Sequence, residues 1–227
     1  MPYEVELCLD SLDACIGAQQ VGANRVELCT RLDIDGLTPD PALVSKVRDA
    51  ISIDLHVLVR PSGGSFVYTE SQLDKMQRNI ETFKQIGVDG IVSGALLTDG
   101  SLDKKSTEHL IKATGKNSFT FHRAFDVCQN PALVYHELQD YGVNRLLTSG
   151  QGRTALEGIA VIESLAKQNP GPRIMVGGGV NFRNVEAFWQ IGIRSFHFSC
   201  QEKESRIFDS NKAVRTMNRL RELAANG

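Results

Sequence analysis

Five side chains of this 227-residue chain have the types and spacing for acid–base or anion chemistry: Glu6, Glu27, Arg60, His122 and His197. Each lies in a short run where apolar residues alternate with other types. In a barrel strand, successive residues point to opposite faces. If the apolar set faces outward, Val5, Leu7 and Leu9 send Glu4, Glu6, Cys8 and Asp10 inward. Val26 and Leu28 send Glu27 and Cys29 inward, and Leu55, Val57 and Val59 send His56, Leu58 and Arg60 inward. Phe119 and Phe121 leave Thr120 and His122 inside; Phe196 and Phe198 leave His197 and Ser199 inside. Charges in a lumen must pair or meet water, because an unpaired buried charge is costly. A self-neutralising network that only holds the barrel together would satisfy this. So would a ligand or active-site pocket, the favoured expectation, with glutamates as acid or base, histidines as proton carriers and Arg60 as anion anchor. The adjacency of strands two and three also predicts a Glu27–Arg60 ion pair.

Cys8 and Cys29 each follow an inward glutamate by two residues and fall on neighbouring strands. Strands about 4.8 Å apart would let their sulfurs meet. Such a pair suits copper(I), a transient disulfide, or the packing of two small buried residues. No His-x-x-x-His or Cys-x-x-Cys spacing marks a zinc site. Two further features are candidate ligand contacts. Ser149 is expected to face inward from strand six, where Thr148 is the alternative. Gly177-Gly178-Gly179 follows strand seven, where barrels often hold phosphate on backbone N–H groups; a tight turn is the other reading.

The elements that must position these groups are announced by a unit that occurs four times: a helix-ending glycine, a short polar or small stretch, then an apolar strand. It reads Gly22-Ala23-Asn24, Gly87-Val88-Asp89, Gly142-Val143-Asn144 and Gly192-Ile193-Arg194, each before a strand, with the glycines 65, 55 and 50 residues apart. Glycine suits the left-handed position just past a helix. The intervals leave room for about two strand–helix units each. Eight such units predict a single-domain (β/α)8 barrel over residues 1–227, with its chemistry at the strand C-termini. The expected strands are 3–10, 25–30, 54–60, 90–96, 119–125, 145–149, 173–176 and 195–200. Ser11, Asp40, Asn130 and Asn181 are the expected caps of helices one, two, five and seven, and helix six is expected over 154–168.

Composition narrows the function classes. The net charge is −2, with no run of Lys and Arg, so neither nucleic acid nor an anionic membrane surface is expected as a partner. No apolar stretch is long enough to span a bilayer, and the N-terminus reads as a strand rather than a signal peptide. Five scattered cysteines are an odd number and fit a reducing cytoplasm.

Several segments together resemble one family. Arg25-Val26-Glu27-Leu28-Cys29, Gly36-Leu37-Thr38-Pro39, Arg60-Pro61 and Thr120-Phe121-His122-Arg123-Ala124-Phe125-Asp126 look like the CutC family, named for copper homeostasis. Leu147-Thr148-Ser149-Gly150-Gln151, Ala155-Leu156-Glu157-Gly158, Gly177-Gly178-Gly179-Val180 and Phe196-His197 continue the match along nearly the whole chain. The resemblance implies a cytoplasmic (β/α)8 barrel, a homodimer, and copper(I) on two strand-end cysteines, here Cys8 and Cys29. Two departures stand out: Ser62 and Ser65 replace an arginine and an aspartate of the family's third loop, and Asp35-Gly36 replaces a Gly-Gly pair. The glutamate, arginine and histidine cluster fits a polar organic substrate better than copper(I). The alternative is therefore an enzyme with lyase- or isomerase-like acid–base chemistry on a small anionic or sugar-phosphate-like substrate, or a non-catalytic ligand-binding barrel.

Overall fold

Eight parallel strands hydrogen-bond in sequence order into a closed ring, and β8 returns to pair with β1. The computed structural model describes residues 2–168, 171–201 and 207–226. The strands are β1 (Glu4–Leu9), β2 (Arg25–Leu28), β3 (Asp54–Leu58), β4 (Gly90–Ser93), β5 (Ser118–Phe121), β6 (Arg145–Thr148), β7 (Arg173–Val176) and β8 (Ser195–Phe198). The helices are α1 (Leu12–Gln20), α2 (Pro41–Ala50), α3 (Glu70–Ile86), α4 (Lys104–Thr114), α5 (Pro131–Asp140), α6 (Ile159–Ala166), α7 (Val185–Gln190) and α8 (Ser210–Ala225). The architecture is the expected (β/α)8 barrel.

The alternation within the strands holds. Val5, Leu7, Leu9, Val26, Leu28, Leu55, Val57, Phe119, Phe121, Phe196 and Phe198 join one apolar core between strands and helices. Cys8, Cys29, Leu58 and Val92 form a separate small cluster inside the ring. Ser11, Asp40 and Asn130 cap their helices as expected, each accepting a first-turn N–H.

Several boundaries differ: β2, β3, β4 and β8 each end two or three residues before the expected 30, 60, 96 and 200. Strand five stops at Phe121, and Arg123–Val127 forms a 3-10 turn on which the His122 ring accepts from the Ala124 N–H. Helix six starts at Ile159, because residues 149–158 form a tight loop in which Gly158 abuts the Ser149 carbonyl with no space for a Cβ. Asn181 shapes the turn before α7, whose N-cap is Asn184.

The recurring glycine unit has a second role that its sequence did not reveal. Asn24 Oδ1 accepts from the Val5 N–H, Asp89 Oδ2 from Leu55 and Asn144 Oδ1 from Phe119, each at 2.8 Å. The N–H groups of Asn24, Asp89 and Asn144 donate back to the carbonyls of the same three residues at 2.9–3.1 Å. Each side chain thus clasps the start of the strand preceding its helix. The fourth copy has Arg194, whose guanidinium stacks 3.9 Å from the Trp189 ring and donates to main-chain carbonyls instead. Asn144→Ala is expected to cost about 1–3 kcal/mol by orphaning the Phe119 N–H, whereas Asn144→Asp keeps the acceptor and most of the stability. Urea denaturation of the two variants checks this; equal losses would refute the clasp.

Candidate functional site

The lumen holds a ladder of charged groups rising from the N-terminal to the C-terminal end of the strands. At the bottom, Glu4 meets Arg25, Arg145 and Arg173. One level up, Arg25 Nε donates to Glu6 Oε2 at 2.5 Å, and both side chains are sealed from solvent. This pairing follows from the register, which sets Glu6 level with Arg25 on β2 and with His197 on β8. His197 Nδ1 donates to Glu6 Oε1 at 2.7 Å, and its Nε2 lies 3.5 Å from Glu27 Oε2. Cys8 is level with Glu27. Cys8 Sγ, a Glu27 carboxylate oxygen and a His197 ring nitrogen all lie within 4.8 Å of one another.

Above this cluster the strand ends enclose a cavity of about 330 Å³, lined among others by Cys8, Glu27, Arg60, His122, His197, Arg123, Asp126, Gly178 and Gly179. Glu6 is fully buried beneath it. Ser149, Gly177 and Cys29 lie behind its walls, outside the lining. The Ser149 hydroxyl donates to Asp126 or the Gly152 carbonyl and accepts from Arg123. Cys29 Sγ is 3.7 Å from Cys8 Sγ but is turned toward the Leu9 carbonyl and packs against Leu58 and Val92. A larger surface groove, about 1120 Å³, runs between α3, α4 and α5; no strand-end residue lines it.

The expected Glu27–Arg60 ion pair does not form. Among the described residues, Arg60 spends its guanidinium on the Ile34, Gly36 and Gly64 carbonyls and lies over the Phe66 ring. Arg60 is two residues beyond the end of β3, so its side chain curls into the loops instead of crossing to β2. The carboxylate–guanidinium pair of the lumen is Glu6–Arg25. Arg25 was missed although it alternates with Glu27; only the register reveals its level. Arg123 and Asp126 were also missed. They pair at 2.7 Å just after β5, and Asp126 further accepts from Thr148 and Ser149.

Electrostatics sort these groups. Burial works to raise the Glu6 carboxyl, but Arg25, the His197 hydrogen bond and the neighbouring imidazoles outweigh it and hold it far below the usual range. Burial pushes Glu27 up to about 7, against the pull of His197. Burial disfavours charged His197, but its hydrogen bonds to Cys8 and Glu6 and the charge of Glu27 raise it well above 6.5. The Cys8 thiol is raised by its contact with Cys29 and by burial. Burial lowers His56 and His122 to about 3.

A pH dependence of stability follows. Between pH 6.5 and 4.5 the unfolded chain protonates His56 and His122 while the folded chain does not, so acid destabilises. Glu27 acts oppositely there, being protonated only when folded. Below pH 4.5 that offset vanishes and Glu6, protonated only when unfolded, joins the histidines. Stability is therefore expected to fall slowly from pH 6.5, then about threefold more steeply below 4.5, at roughly 1.4 kcal/mol per pH unit for each proton. Urea midpoints measured from pH 7 to 3.5 test this; a flat profile would contradict the buried neutral histidines.

The comparisons with known proteins agree with one another. The CutC family model matches residues 3–202. The chain belongs to the CutC family. A CutC protein of Glaesserella parasuis is 39% identical over 214 residues, covering 93% of this chain and 88% of the relative. One from Bacteroides thetaiotaomicron is 40% identical over 203 residues, covering 88% of this chain and 82% of the relative. Among solved structures, a CutC protein from Streptococcus agalactiae, whose name links it to copper homeostasis, superposes with TM-score 0.82. It is 29% identical, covering 86% of this chain and 98% of that one. Phosphoribosyl anthranilate isomerase of Thermus thermophilus, at 14% identity, TM-score 0.63 and coverage of 97% and 99%, shares the fold alone. Among the described residues of this CutC chain, no helix is long and apolar enough to cross a membrane.

Proposed function

We propose that this protein serves copper homeostasis by holding copper(I) at the mouth of the barrel, with Cys8, His197 and Glu27 as donors. The observation that carries this reading is the convergence of those three side chains within 4.8 Å. The donor set fits. A thiolate is the soft ligand copper(I) favours. His197 gives its Nδ1–H to Glu6, the arrangement by which an outer carboxylate orients a metal-binding imidazole and leaves its other nitrogen for the ion. Cys29, 3.7 Å from Cys8, stands beside the site as a neighbouring thiol rather than a donor. In this reading copper is cargo. The protein works in a reducing cytoplasm, where its five cysteines stay free thiols, and as a homodimer, for which light scattering would give twice the 25.0 kDa chain mass. Copper(I) titration against a competing chelator tests the proposal. One ion bound per chain, lost in His197→Gln, is expected; binding that ignores His197 would overturn it.

A second reading has its own support. Glu27, with its carboxyl near 7, opens onto a cavity of about 330 Å³ that also holds His122 and Arg60. A carboxyl poised near neutrality suits general acid–base catalysis, in a lyase- or isomerase-like step on a small anionic substrate. A metabolite-binding screen on metal-free protein separates the two: a bound organic anion favours the enzyme, its absence the metal carrier.

A further inference from the structure

Beyond the metal donors, the cavity contains hydrogen-bond donors with nothing to donate to. Gly178 and Gly179 line it with positive φ values of 101° and 82°. Among the described residues neither N–H has an acceptor. The Gly178 carbonyl accepts from the Ala155 N–H at 2.8 Å. In a planar trans peptide, that fixes the Gly179 N–H pointing the opposite way. Arg123 stands beside this loop: a Cβ built on Gly178 would come 3.7 Å from its guanidinium carbon. Asp126 and Ser149 hold Nε and Nη2 of Arg123, which orients the fork and, among the described residues, leaves Nη1 without a partner.

A separate observation points the same way. Among the described residues, His122 Nε2 and Arg60 Nε are buried without hydrogen-bond partners, on side chains that line the same cavity and are at least 95% buried. His122 Nδ1 accepts from the Ala124 N–H, so the ring proton sits on Nε2 and that atom is a donor. Unpaired buried donors are rare in folded proteins, and a wall of them calls for an acceptor-rich ligand.

We infer that Gly178, Gly179 and Arg123 form a subsite for the phosphate group of a small phosphomonoester, on the side of the cavity built by β5, β6 and β7. The inference deepens the acid–base reading of this cavity, on which it rests, by naming the substrate class. Successive main-chain N–H groups in a turn form a concavity for anions, and a guanidinium matches phosphate oxygens in pairs. A larger side chain at Gly178 would collide with Ser149, whose Cβ lies 3.0 Å from a built Cβ. The cavity leaves Glu27 and His197, on β2 and β8, facing the remainder of the ester. Arg60 and His122 add donors for its hydroxyl or carbonyl oxygens.

The test is an amide NMR titration of the full chain, labelled with nitrogen-15, using glycerol 3-phosphate, inorganic phosphate and glycerol. The Gly178 and Gly179 signals are expected to shift saturably with the ester, more weakly with inorganic phosphate and not with glycerol. Arg123→Gln should weaken the ester by about tenfold or more, the loss of one charge-assisted contact. Unmoved glycine signals in the wild-type protein would overturn the subsite, whatever the fate of the variant. Equal affinity for ester and inorganic phosphate would make it a site for the free anion and overturn the ester. Ester binding would support the subsite whatever becomes of the acid–base reading, which a separate turnover assay on carbonyl-bearing phosphate esters that bind would sink if none reacted.

Discussion

Replacing Arg25 by methionine is expected to lower stability by roughly 3–5 kcal/mol, the usual cost of stranding one member of a buried ion pair. Arg25 is 1% exposed and Glu6 fully buried, so water cannot take over the lost partner. Among the described residues, His197 and the neutral His56 are the side chains left within ion-pair distance of the carboxylate. The midpoint of thermal unfolding should drop by roughly 10 °C. Glu6 should then titrate higher, because the guanidinium that most strongly opposes burial is gone. The double variant Arg25→Met with Glu6→Gln should recover part of the loss, since no stranded charge is left. A single variant that loses less than about 1 kcal/mol, within the range of ordinary exposed pairs, would mean that the bottom of the barrel is wet.

Cys8→Ser should weaken copper(I) binding by about 100-fold or more, beyond the 10–100-fold usual for an outer partner. Cys29→Ser should stay within about tenfold. The two cysteines look equivalent in sequence, each two residues past a glutamate. The structure makes them unequal: Cys8 converges with Glu27 and His197, and Cys29 does not. Serine offers a hard, protonated oxygen where copper(I) favours a thiolate. Affinity should also climb with pH, because the ion must displace protons from a raised Cys8 thiol and a raised His197. Competition titrations at two pH values measure both effects. Equal losses in the two variants would restore the two-thiol site, and no loss in Cys8→Ser would remove the metal from this cluster.

The inward register was legible because it is a period-two property of each strand alone. Glu6, Cys8, Glu27, His122 and His197 could be placed from their apolar neighbours. What alternation does not carry is height along the barrel axis. Strand shear sets Glu6 opposite Arg25 and leaves Arg60 above β3, so the ion pair drawn between Glu27 and Arg60 joined residues at different levels. The same gap hid the difference between Cys8 and Cys29. Arg123 and Asp126 escaped for another reason. They lie on a 3-10 turn that reads as a continuation of strand five, because Phe121 and Phe125 keep an apolar rhythm across it.

The clasps by Asn24, Asp89 and Asn144 bear on the order in which the chain assembles. Each ties a helix-flanked strand pair, β1–β2, β3–β4 or β5–β6, through partners only 19, 34 and 25 residues apart. Such local closures cost little chain entropy and form early. Among the described residues the β7–β8 quarter shows no such clasp, and its His197 reaches Glu6 across 191 residues. The seam between β8 and β1 is therefore the natural last step. Cys8 and Glu27 lie on one side of it and His197 on the other. A chain still emerging from the ribosome carries Cys8, Glu27 and Cys29 well before it gains the imidazole of His197. If copper(I) is held as proposed, the complete donor set exists only in a finished ring, and capture of an ion by all three groups reports that the barrel has closed.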